Sequence, residues 1–378
     1  MENTRVCILT SVHPAFDTRI FHKEAASLVG AGYSVTLIAQ NVRDETVDGI
    51  KIISLQKPKN RFFRILGTTW RVFLFALKQK SDVYHFHDPE LISVGLILKL
   101  FTRSKIIYDI HEDVPGDILT KEWLPFHLRI IISKVFALLE KVSIPFFNAV
   151  IVAGNDIAKH LPVSKKIMVV KNFPLSEKRR KTNVRKTKEK EGEKPIILIY
   201  AGVLSRDRGI EEMVGAACLI KNNIKLLLVG NFDCPDFEVK IKKKAGERLE
   251  FIGQVPYEKV FEYLGTADIG LILFHPTPNN IGAVSGRNNK LFEYMAAGLP
   301  IIASDLSGWK EIVEGGGYGI VVNPLEPEDI ANSINQLIQN PELRIKMGEK
   351  GQVDFLEKYN WDNEEKKLLE VYEYIMKK

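Results

Sequence analysis

Residues 281–305 read IGAVSGRNNKLFEYMAAGLPIIASD, and this stretch decides how the second half of the chain folds. Asn288 or Asn289 is a suitable N-cap, residues 290–297 are mostly strong helix formers, and a Gly-Leu-Pro sequence ends the helix. The apolar residues that follow are typical of a buried strand. The stretch therefore predicts a glycine-bearing loop, a short helix and a strand in direct succession.

The start of this predicted helix can bind an anion. Its unpaired N–H groups and the positive end of the helix dipole favour a diphosphate, and Arg287 and Lys290 add positive charge. Glu293 follows Asn289 by four residues and Lys290 by three, so the three share one helix face. A carboxylate one turn beyond a phosphate site can accept hydrogen bonds from a ribose diol. The pattern indicates a nucleotide-diphosphate site; the alternative is a solvent-exposed Glu293 beside a plain glycine turn.

This segment resembles the donor-site signature of glycosyltransferase family 4, whose members are retaining enzymes of the GT-B fold. In that signature a glutamate is followed, after seven residues, by a second glutamate that binds the nucleotide ribose. Glu293 matches the second glutamate, and Ser285 occupies the position of the first. A hydroxyl lacks the charge-assisted strength of a carboxylate, so either the donor sugar differs from the common ones or Arg287 supplies the contact. The resemblance implies donor binding by Ser285, Gly286, Arg287, Asn289, Lys290, Leu291 and Glu293.

Length and composition predict two domains in a reducing compartment. With 378 residues, 45% of them hydrophobic, the chain can bury two hydrophobic cores, which predicts two domains of about 175 residues each. Three scattered cysteines without a CxxC pair argue against a disulfide framework or a zinc site. The N-terminus has the pattern of a first strand, not of a signal peptide, and no apolar run reaches the roughly 18 residues of a membrane span. We therefore expect a cytoplasmic protein.

Short β-branched runs alternate with helical segments, which is typical of α/β domains with mostly parallel sheets. The predicted strands are 6–10, 34–39, 51–54, 83–87, 105–110, 149–152 and 166–170, then 196–201, 225–229, 250–252, 269–273, 300–303 and 319–322. The resemblance implies a GT-B enzyme with two Rossmann-like α/β/α domains facing across a cleft. The first domain is 1–175, joined by a returning helix at 361–378, and the donor domain is 195–360.

Residues 176–194 form a charged segment almost without apolar residues, which predicts a surface linker. Glu189, Glu191 and Glu193 dilute its positive charge, and it has no stacking aromatic side chains, so we expect no nucleic-acid partner.

Two stretches suit an anionic membrane surface. Residues 49–81 contain no acid, and their basic residues are interleaved with aromatic ones such as Trp70 and Phe73. Residues 126–141 read FHLRIIISKVFALLEK. The pattern predicts a peripheral membrane protein with a carbohydrate or lipid-linked acceptor. The alternative for residues 49–81 is that the aromatics belong to the core and the basic residues form its solvated rim.

The ends of three first-half strands carry the candidate acceptor-side residues. The loop after the first strand lacks a GxGxxG fingerprint, which disfavours a dinucleotide cofactor. In that loop Asp17 is expected to cap the next helix, and Arg19 is expected to contact substrate; His13 lies beside them.

A second strand end carries Asp88 and Glu90, in VYHFHDPE, which would bind an acceptor or cap the following helix. The His, Asp and Glu residues of VYHFHDPE and of IIYDIHED, residues 106–113, also allow a metal interpretation, but a second ligand set with zinc-like spacing is missing, so no metal is predicted.

The resemblance places His111, after the strand at 105–110, against the donor sugar; a purely structural histidine is the alternative.

The resemblance also assigns the start of the second domain to binding of the donor's phosphates. Gly202 matches the glycine of that motif, and Arg208 stands where the family usually has lysine, which is tolerable because arginine can clamp phosphate. Val203 replaces a basic residue, so that contact would be missing or supplied by Arg206. Gly253 to Val255 would line the nucleobase.

The function implied by the resemblance is retaining transfer of a sugar from a nucleotide-diphosphate sugar to an acceptor hydroxyl, in polysaccharide or glycolipid assembly. No Asp-x-Asp pair occurs in the chain, so no metal and no cofactor are expected. The residues expected to act in catalysis are His111, Arg208, Lys290 and Glu293. Two alternatives stay open: a non-hydrolysing nucleotide-sugar epimerase on a similar scaffold, and an inactive nucleotide-sugar-binding protein.

Overall fold

The computed structural model describes residues 4–58, 60, 67–121, 124–164, 166–176, 194–244, 246–277, 280, 289–306 and 308–377. The chain divides into two compact units. The first comprises Met1–Asn172 together with Trp361–Lys378, and the second comprises Phe173–Asn360. Most of the predicted linker, residues 177–193, lies outside the described residues.

The first unit contains an eight-stranded sheet in the order β3-β4-β2-β1-β5-β6-β7-β8. All neighbouring strands are parallel except β3 and β4, which are antiparallel. The strands are β1 Arg5–Pro14, β2 Ser34–Gln40, β3 Glu45–Val47, β4 Ile50–Leu55, β5 Val83–Phe86, β6 Lys105–Ile110, β7 Ala149–Val152 and β8 Ile167–Val169.

Helices of the first unit follow the strands in alternation. A π-helical segment, Ile20–Ala25, leads directly into the first α-helix. The described α-helices are α1 Ala26–Gly30, α2 Thr69–Gln79, α3 Ile92–Phe101, α4 Val114–Leu119, α5 Phe126–Ser143 and α6 Asn155–His160. The C-terminal helix, Trp361–Met376, also belongs to this unit, because Nε1 of Trp361 donates to Oγ of Ser27 at 2.9 Å.

The second unit contains a six-stranded parallel sheet in the order β11-β10-β9-β12-β13-β14. Its strands are β9 Ile196–Ala201, β10 Ile224–Val229, β11 Leu249–Gly253, β12 Ile269–Ile272, β13 Ile301–Ser304 and β14 Gly319–Val322. Its described α-helices are α7 Ile210–Leu219, α8 Pro235–Lys244, α9 Tyr257–Thr266, α10 Asn289–Ala296, α11 Trp309–Val313, α12 Pro327–Gln339 and α13 Pro341–Glu357, so the C-terminal helix is α14.

Every strand predicted from the sequence is present, with bounds that differ by at most one residue except in β1, which continues to Pro14. The short antiparallel strand β3 was not predicted, because its three residues carry no run of apolar side chains. The units meet in sequence at Asn172, three residues before the predicted end of the first domain. Phe173 belongs to the second unit because its ring packs against Phe292 at 4.5 Å.

Candidate functional site

The order of strands in the second unit reverses between β9 and β12, since β9 lies between β10 on one side and β12 on the other. In open α/β sheets ligands bind at such a switch point, beyond the carboxyl ends of the strands. Gly202 follows β9 directly, and Phe274 lies two residues beyond β12. The residues around these two positions therefore form the candidate site of the second unit.

Glycines end three adjacent strands at this edge. Gly202, Gly230 and Gly253 follow or close β9, β10 and β11, and all three have positive φ angles, of 146°, 143° and 76°. The N–H of Gly202 donates to Val229 at 2.8 Å, and the N–H of Gly230 donates to Gly253 at the same distance. A Cβ added to Gly230 would overlap the carbonyl oxygen of Gly202. These three positions carry no side chain of their own, and each is partly exposed.

Two cations converge on one aromatic ring at the switch point. The guanidinium of Arg208 lies 4.1 Å from the centre of the Phe274 ring, and Nζ of Lys290 lies 5.9 Å from the same centre. Burial lowers the pKa of Lys290, the Glu293 carboxylate opposes that shift, and the charge of Arg208 adds to it. Two cations held together at the end of a parallel sheet favour an anionic ligand.

Glu293 lies in α10 with only 7% of its surface exposed, so the interpretation of a solvated helix residue is wrong. Asn289 and Lys290 form the first turn of the same helix, as the sequence indicated. Leu291 is buried in the core, which leaves only its backbone for ligand contact. Ser285, Gly286 and Arg287 lie outside the described residues.

The remaining predicted donor residues of the second unit differ in exposure. The guanidinium of Arg206 lies 5.1 Å from the centre of the buried Phe237 ring, which holds it by a cation–π contact. Val203 is 56% exposed, as expected for a position where the family signature has a charged residue. Val255 packs partly buried against the core beyond Gly253.

In the first unit the strand order reverses between β1 and β5. Asp88, just after β5, joins these two strand ends: its Oδ2 accepts from Oγ1 of Thr10 at 2.8 Å and from the N–H of Ser11. Within the described residues its side chain makes no capping hydrogen bond to the Pro89–Leu91 turn, so the predicted capping role is wrong. Glu90 accepts from Oγ of Ser11 at 3.0 Å.

Asp17 acts as the predicted cap, because its Oδ1 accepts from the backbone N–H of Arg19 at 2.8 Å and of Ile20 at 3.0 Å. The prediction that Arg19 meets substrate is wrong. Arg19 is 3% exposed, and its guanidinium donates to both carboxylate oxygens of Asp109, at 2.9 and 3.1 Å. His13 is one-third exposed and lies 3.5 Å from Asp17.

His111 lies at the end of β6 with 17% of its side chain exposed. Its Nε2 hydrogen bonds with Nδ1 of His87 at 2.9 Å, and its ring is 5.8 Å from that of His13. Next to His111 lies a buried cluster of Glu24, His85, His87 and Asp109. Each of these residues offers one atom that could bind a metal ion, a ring nitrogen or a carboxylate oxygen, and these atoms all lie within 4.8 Å of one another. Sequence reasoning missed Glu24, whose only signal is its position five residues after Arg19 in the helical segment that follows β1.

That buried cluster does not fit a metal ion well. Nε of Arg19 lies 2.8 Å from Oε1 of Glu24, and its NH2 group lies 2.9 Å from Oδ2 of Asp109. A guanidinium therefore already supplies positive charge to both carboxylates, and a second cation between them would be repelled.

None of the described helices combines the length and the apolar character that a membrane crossing requires. α5 is nevertheless unusual at its surface, since eight of its apolar side chains are more than a third exposed: Phe126, Leu128, Ile131, Ile132, Val135, Leu138, Leu139 and Val142.

Comparison with known families gives two matches that together span most of the chain. Residues 18–173 match the family described as Glycosyltransferase Family 4, and residues 181–354 match Glycosyl transferases group 1. An uncharacterized glycosyltransferase of Methanocaldococcus jannaschii is 25% identical over 386 residues, which covers 93% of this chain and 92% of the relative.

Solved structures share the fold. Sucrose-phosphate synthase from Thermosynechococcus elongatus superposes with a TM-score of 0.73 at 19% identity, covering 100% of this chain and 99% of that one. HepE from Anabaena, in complex with UDP-glucose, gives a TM-score of 0.71 at 15% identity, covering 98% and 99%. Two α/β units, each built on a mostly parallel sheet, define the GT-B fold that these structures share. The chain belongs to the group 1 glycosyltransferases of the family 4 type.

Proposed function

We propose that this enzyme is a retaining glycosyltransferase that takes its sugar from a nucleotide-diphosphate sugar. The observation that carries the proposal is the convergence of Arg208 and Lys290 on Phe274, at the switch point of the second unit. A diphosphate matches these charges, and the first turn of α10 adds the positive end of its dipole. The structural neighbour HepE holds UDP-glucose on the same fold, which supports this choice of donor.

The candidate site residues of the second unit then have separate roles. Arg208 and Lys290 bind the phosphates and stabilise the charge that develops on the leaving diphosphate. Glu293, one turn into α10, accepts hydrogen bonds from the ribose hydroxyls. The backbone at Gly253, which is partly exposed, lines the base. Because two fixed cations neutralise the phosphates, the reaction needs no divalent ion for this purpose.

The transfer step breaks the bond between the anomeric carbon and the phosphate oxygen and forms a bond from that carbon to the acceptor oxygen. The acceptor proton passes to the leaving phosphate oxygen, so the step needs no protein nucleophile. Since attack and departure occur on the same face, the product keeps the anomeric configuration of the donor. In the first unit, the carboxyl edge with His13, Glu90 and His111 provides polar groups for sugar hydroxyls.

The surface of α5 supports a lipid-linked acceptor at an anionic membrane. Its exposed charges are all basic, from Lys134 and Lys141 with the partly exposed Arg129, whereas its one acid, Glu140, is buried and accepts from Tyr108. An apolar helix face flanked by basic residues binds the headgroup region of anionic bilayers. The enzyme would act there in glycolipid or polysaccharide assembly.

Donor use is tested by thermal stabilisation with UDP-, GDP- and ADP-sugars, followed by product analysis. We expect one nucleotide series to raise the melting temperature, and the product to carry the anomeric configuration of the donor. Glu293→Ala should reduce nucleotide affinity by about 1.5 to 3 kcal/mol, as for a lost charge-assisted contact. Epimerised sugar formed from donor alone would instead establish an epimerase, and no stabilisation by any nucleotide sugar would refute the proposal.

Membrane binding is tested by sedimentation with vesicles at low salt. The wild-type chain should bind vesicles that contain phosphatidylglycerol more strongly than pure phosphatidylcholine vesicles. Val135→Ser combined with Leu138→Ser should abolish binding, since these side chains are 60% and 65% exposed on α5. The matched control is Val353→Ser with Leu356→Ser on α13, where exposure is 53% and 57%. Equal binding by both double variants would contradict the assignment to α5.

A further inference from the structure

Three side chains form a line from the surface of the first unit to its interior. His111, partly exposed after β6, hydrogen bonds through Nε2 to Nδ1 of His87 at 2.9 Å. Nε2 of His87 then lies 3.5 Å from Oε2 of Glu24, at the outer limit of a hydrogen bond. The side chains of His87 and Glu24 are both fully buried. The line therefore joins one accessible imidazole to one buried carboxyl group.

The inner end of this line holds polar atoms without a hydrogen bond. Among the described residues, Nε2 of His87 and Oε2 of Glu24 are buried atoms that lack a hydrogen-bond partner. A buried polar atom left in this state destabilises the fold. The two atoms face each other, so a proton shared between them satisfies both.

The surroundings make Glu24 the proton-holding group of the cluster. Arg19 pairs with Asp109, and this charge holds the pKa of Asp109 well below its usual range. Burial, together with the Asp109 carboxylate, raises the pKa of Glu24 well above its usual range. The other ionisable groups that face the line are His85 and Tyr372 at the inner end, and His13, Asp17, Asp88 and Glu112 at the outer end.

We propose that Glu24 and His87 form a proton relay behind His111. When Nδ1 of His111 takes up a proton, its Nε2 proton passes to Nδ1 of His87, and the Nε2 proton of His87 passes to Oε2 of Glu24. Each ring gains one proton and loses one, so both imidazoles stay neutral and the charge change falls on Glu24. His111 thereby changes from a ring that carries its proton on Nε2 to one that carries it on Nδ1.

This relay deepens the proposed function, on which its catalytic consequence rests. Nδ1 of His111, the ring nitrogen that does not bond to His87, can then either accept or donate a hydrogen bond to a sugar hydroxyl without forming an imidazolium beside the developing positive charge of the sugar. His87 and Glu24 act through His111 and are positioning residues. Tyr372 bonds to His85 at 2.9 Å and is not a member of the line.

The test is a pH titration of the full chain, labelled with ¹⁵N-histidine and followed by NMR, with His111→Ala to assign the His111 signals. Ring nitrogen shifts distinguish the two neutral tautomers from the imidazolium. In the wild type we expect His111 to switch from the Nε2–H to the Nδ1–H tautomer as the pH falls. In Glu24→Gln we expect no switch, and in Tyr372→Phe the wild-type switch. Direct conversion of His111 to imidazolium in the wild type would overturn the relay, even if the variants do not fold.

Kinetics separate the relay from the proposed function. Glu24→Gln should lower kcat about a hundredfold, the lower end of what a positioned proton-transfer group contributes, and leave nucleotide affinity unchanged. A wild-type tautomer switch in a chain that transfers no sugar would uphold the relay and refute the function. Stoichiometric zinc in the purified chain, lost in Glu24→Gln, would overturn the relay in favour of a metal site.

Discussion

Lys290 packs directly over Gly202: a Cβ added to this glycine would overlap Cε of the lysine and lie 2.8 Å from its Nζ. Gly202 follows β9, and Lys290 lies in the first turn of α10. The missing side chain therefore lets the ammonium group reach the carboxyl end of the sheet, where Arg208 lies over Phe274. The absence of a side chain at Gly202 is thus a structural requirement of the cation pair.

We predict that Gly202→Ala weakens nucleotide binding at least about tenfold. The new Cβ must displace Lys290, and the φ angle of 146° adds strain of about 1 to 3 kcal/mol. Isothermal titration with the nucleotide that stabilises the wild type measures the effect. Gly246→Ala is the control, because a Cβ there would meet no described atom within 4 Å. Wild-type affinity in Gly202→Ala would show that Lys290 does not bind the ligand from this position.

We predict that Arg208→Ala reduces nucleotide affinity by about 1.5 to 3 kcal/mol and that Arg208→Lys has an intermediate effect. Lysine keeps the charge but lacks the planar guanidinium that lies over Phe274 and that can bind phosphate through two parallel hydrogen bonds. Lys225→Ala is the matched control, since that lysine is the second residue of β10 and lies at the opposite end of the sheet. If Arg208→Ala and Lys225→Ala bound equally well, Arg208 would have no part in the site.

The sheets could be predicted from the sequence because parallel strands buried on both faces have a strong apolar signature. β6, for example, was predicted with the bounds Lys105–Ile110 that the structure gives. β3 could not be predicted in this way, since Glu45–Val47 is held only by its pairing with β4. The positions of Gly202, Arg208, Lys290 and Glu293 came from local motifs, and the structure brings them to one end of the second sheet.

The buried cluster of the first unit could not be predicted, because its members come from distant parts of the sequence. Arg19 was interpreted as a substrate contact from its loop position, but it pairs with Asp109, ninety residues away. Asp88 precedes a helical turn, as a capping residue does, but it bonds to Ser11 across the sheet. In both cases a long-range polar partner outweighed the local pattern.

The pKa of Lys290 makes nucleotide affinity depend on pH. Burial lowers this pKa from the ordinary lysine value of 10.5, so the ammonium loses its proton at a lower pH than a free lysine. Only the protonated form attracts phosphate, and affinity should therefore fall as the pH rises through this lowered pKa. In Lys290→Arg the guanidinium keeps its charge, so the nucleotide affinity of this variant should not change over the same pH range. Titrations of both proteins up to pH 10.5 measure the difference, and parallel losses of affinity would contradict the prediction.

Glu140 should make the stability of the first unit depend on pH in the weakly acidic range. Burial in α5 raises its pKa from 4.5 to about 6. The folded chain therefore binds the proton more tightly than the unfolded chain. This contribution to stability is complete below pH 4.5 and is lost as the pH rises to about 6. A shift of this size corresponds to about 2 kcal/mol.

Glu140→Gln removes this dependence and keeps an acceptor for the hydroxyl of Tyr108, which donates to Glu140 at 2.9 Å. Urea unfolding of both proteins between pH 4 and pH 7 gives the difference in their free energies of unfolding. We expect the wild type to lose about 2 kcal/mol relative to the variant as the pH rises, and the difference to be level above about pH 6. Glu328→Gln, at an exposed position in α12, is the control. A difference that does not change with pH would mean that Glu140 ionises as freely in the folded chain as in the unfolded one, and its burial against Tyr108 would then have no energetic consequence.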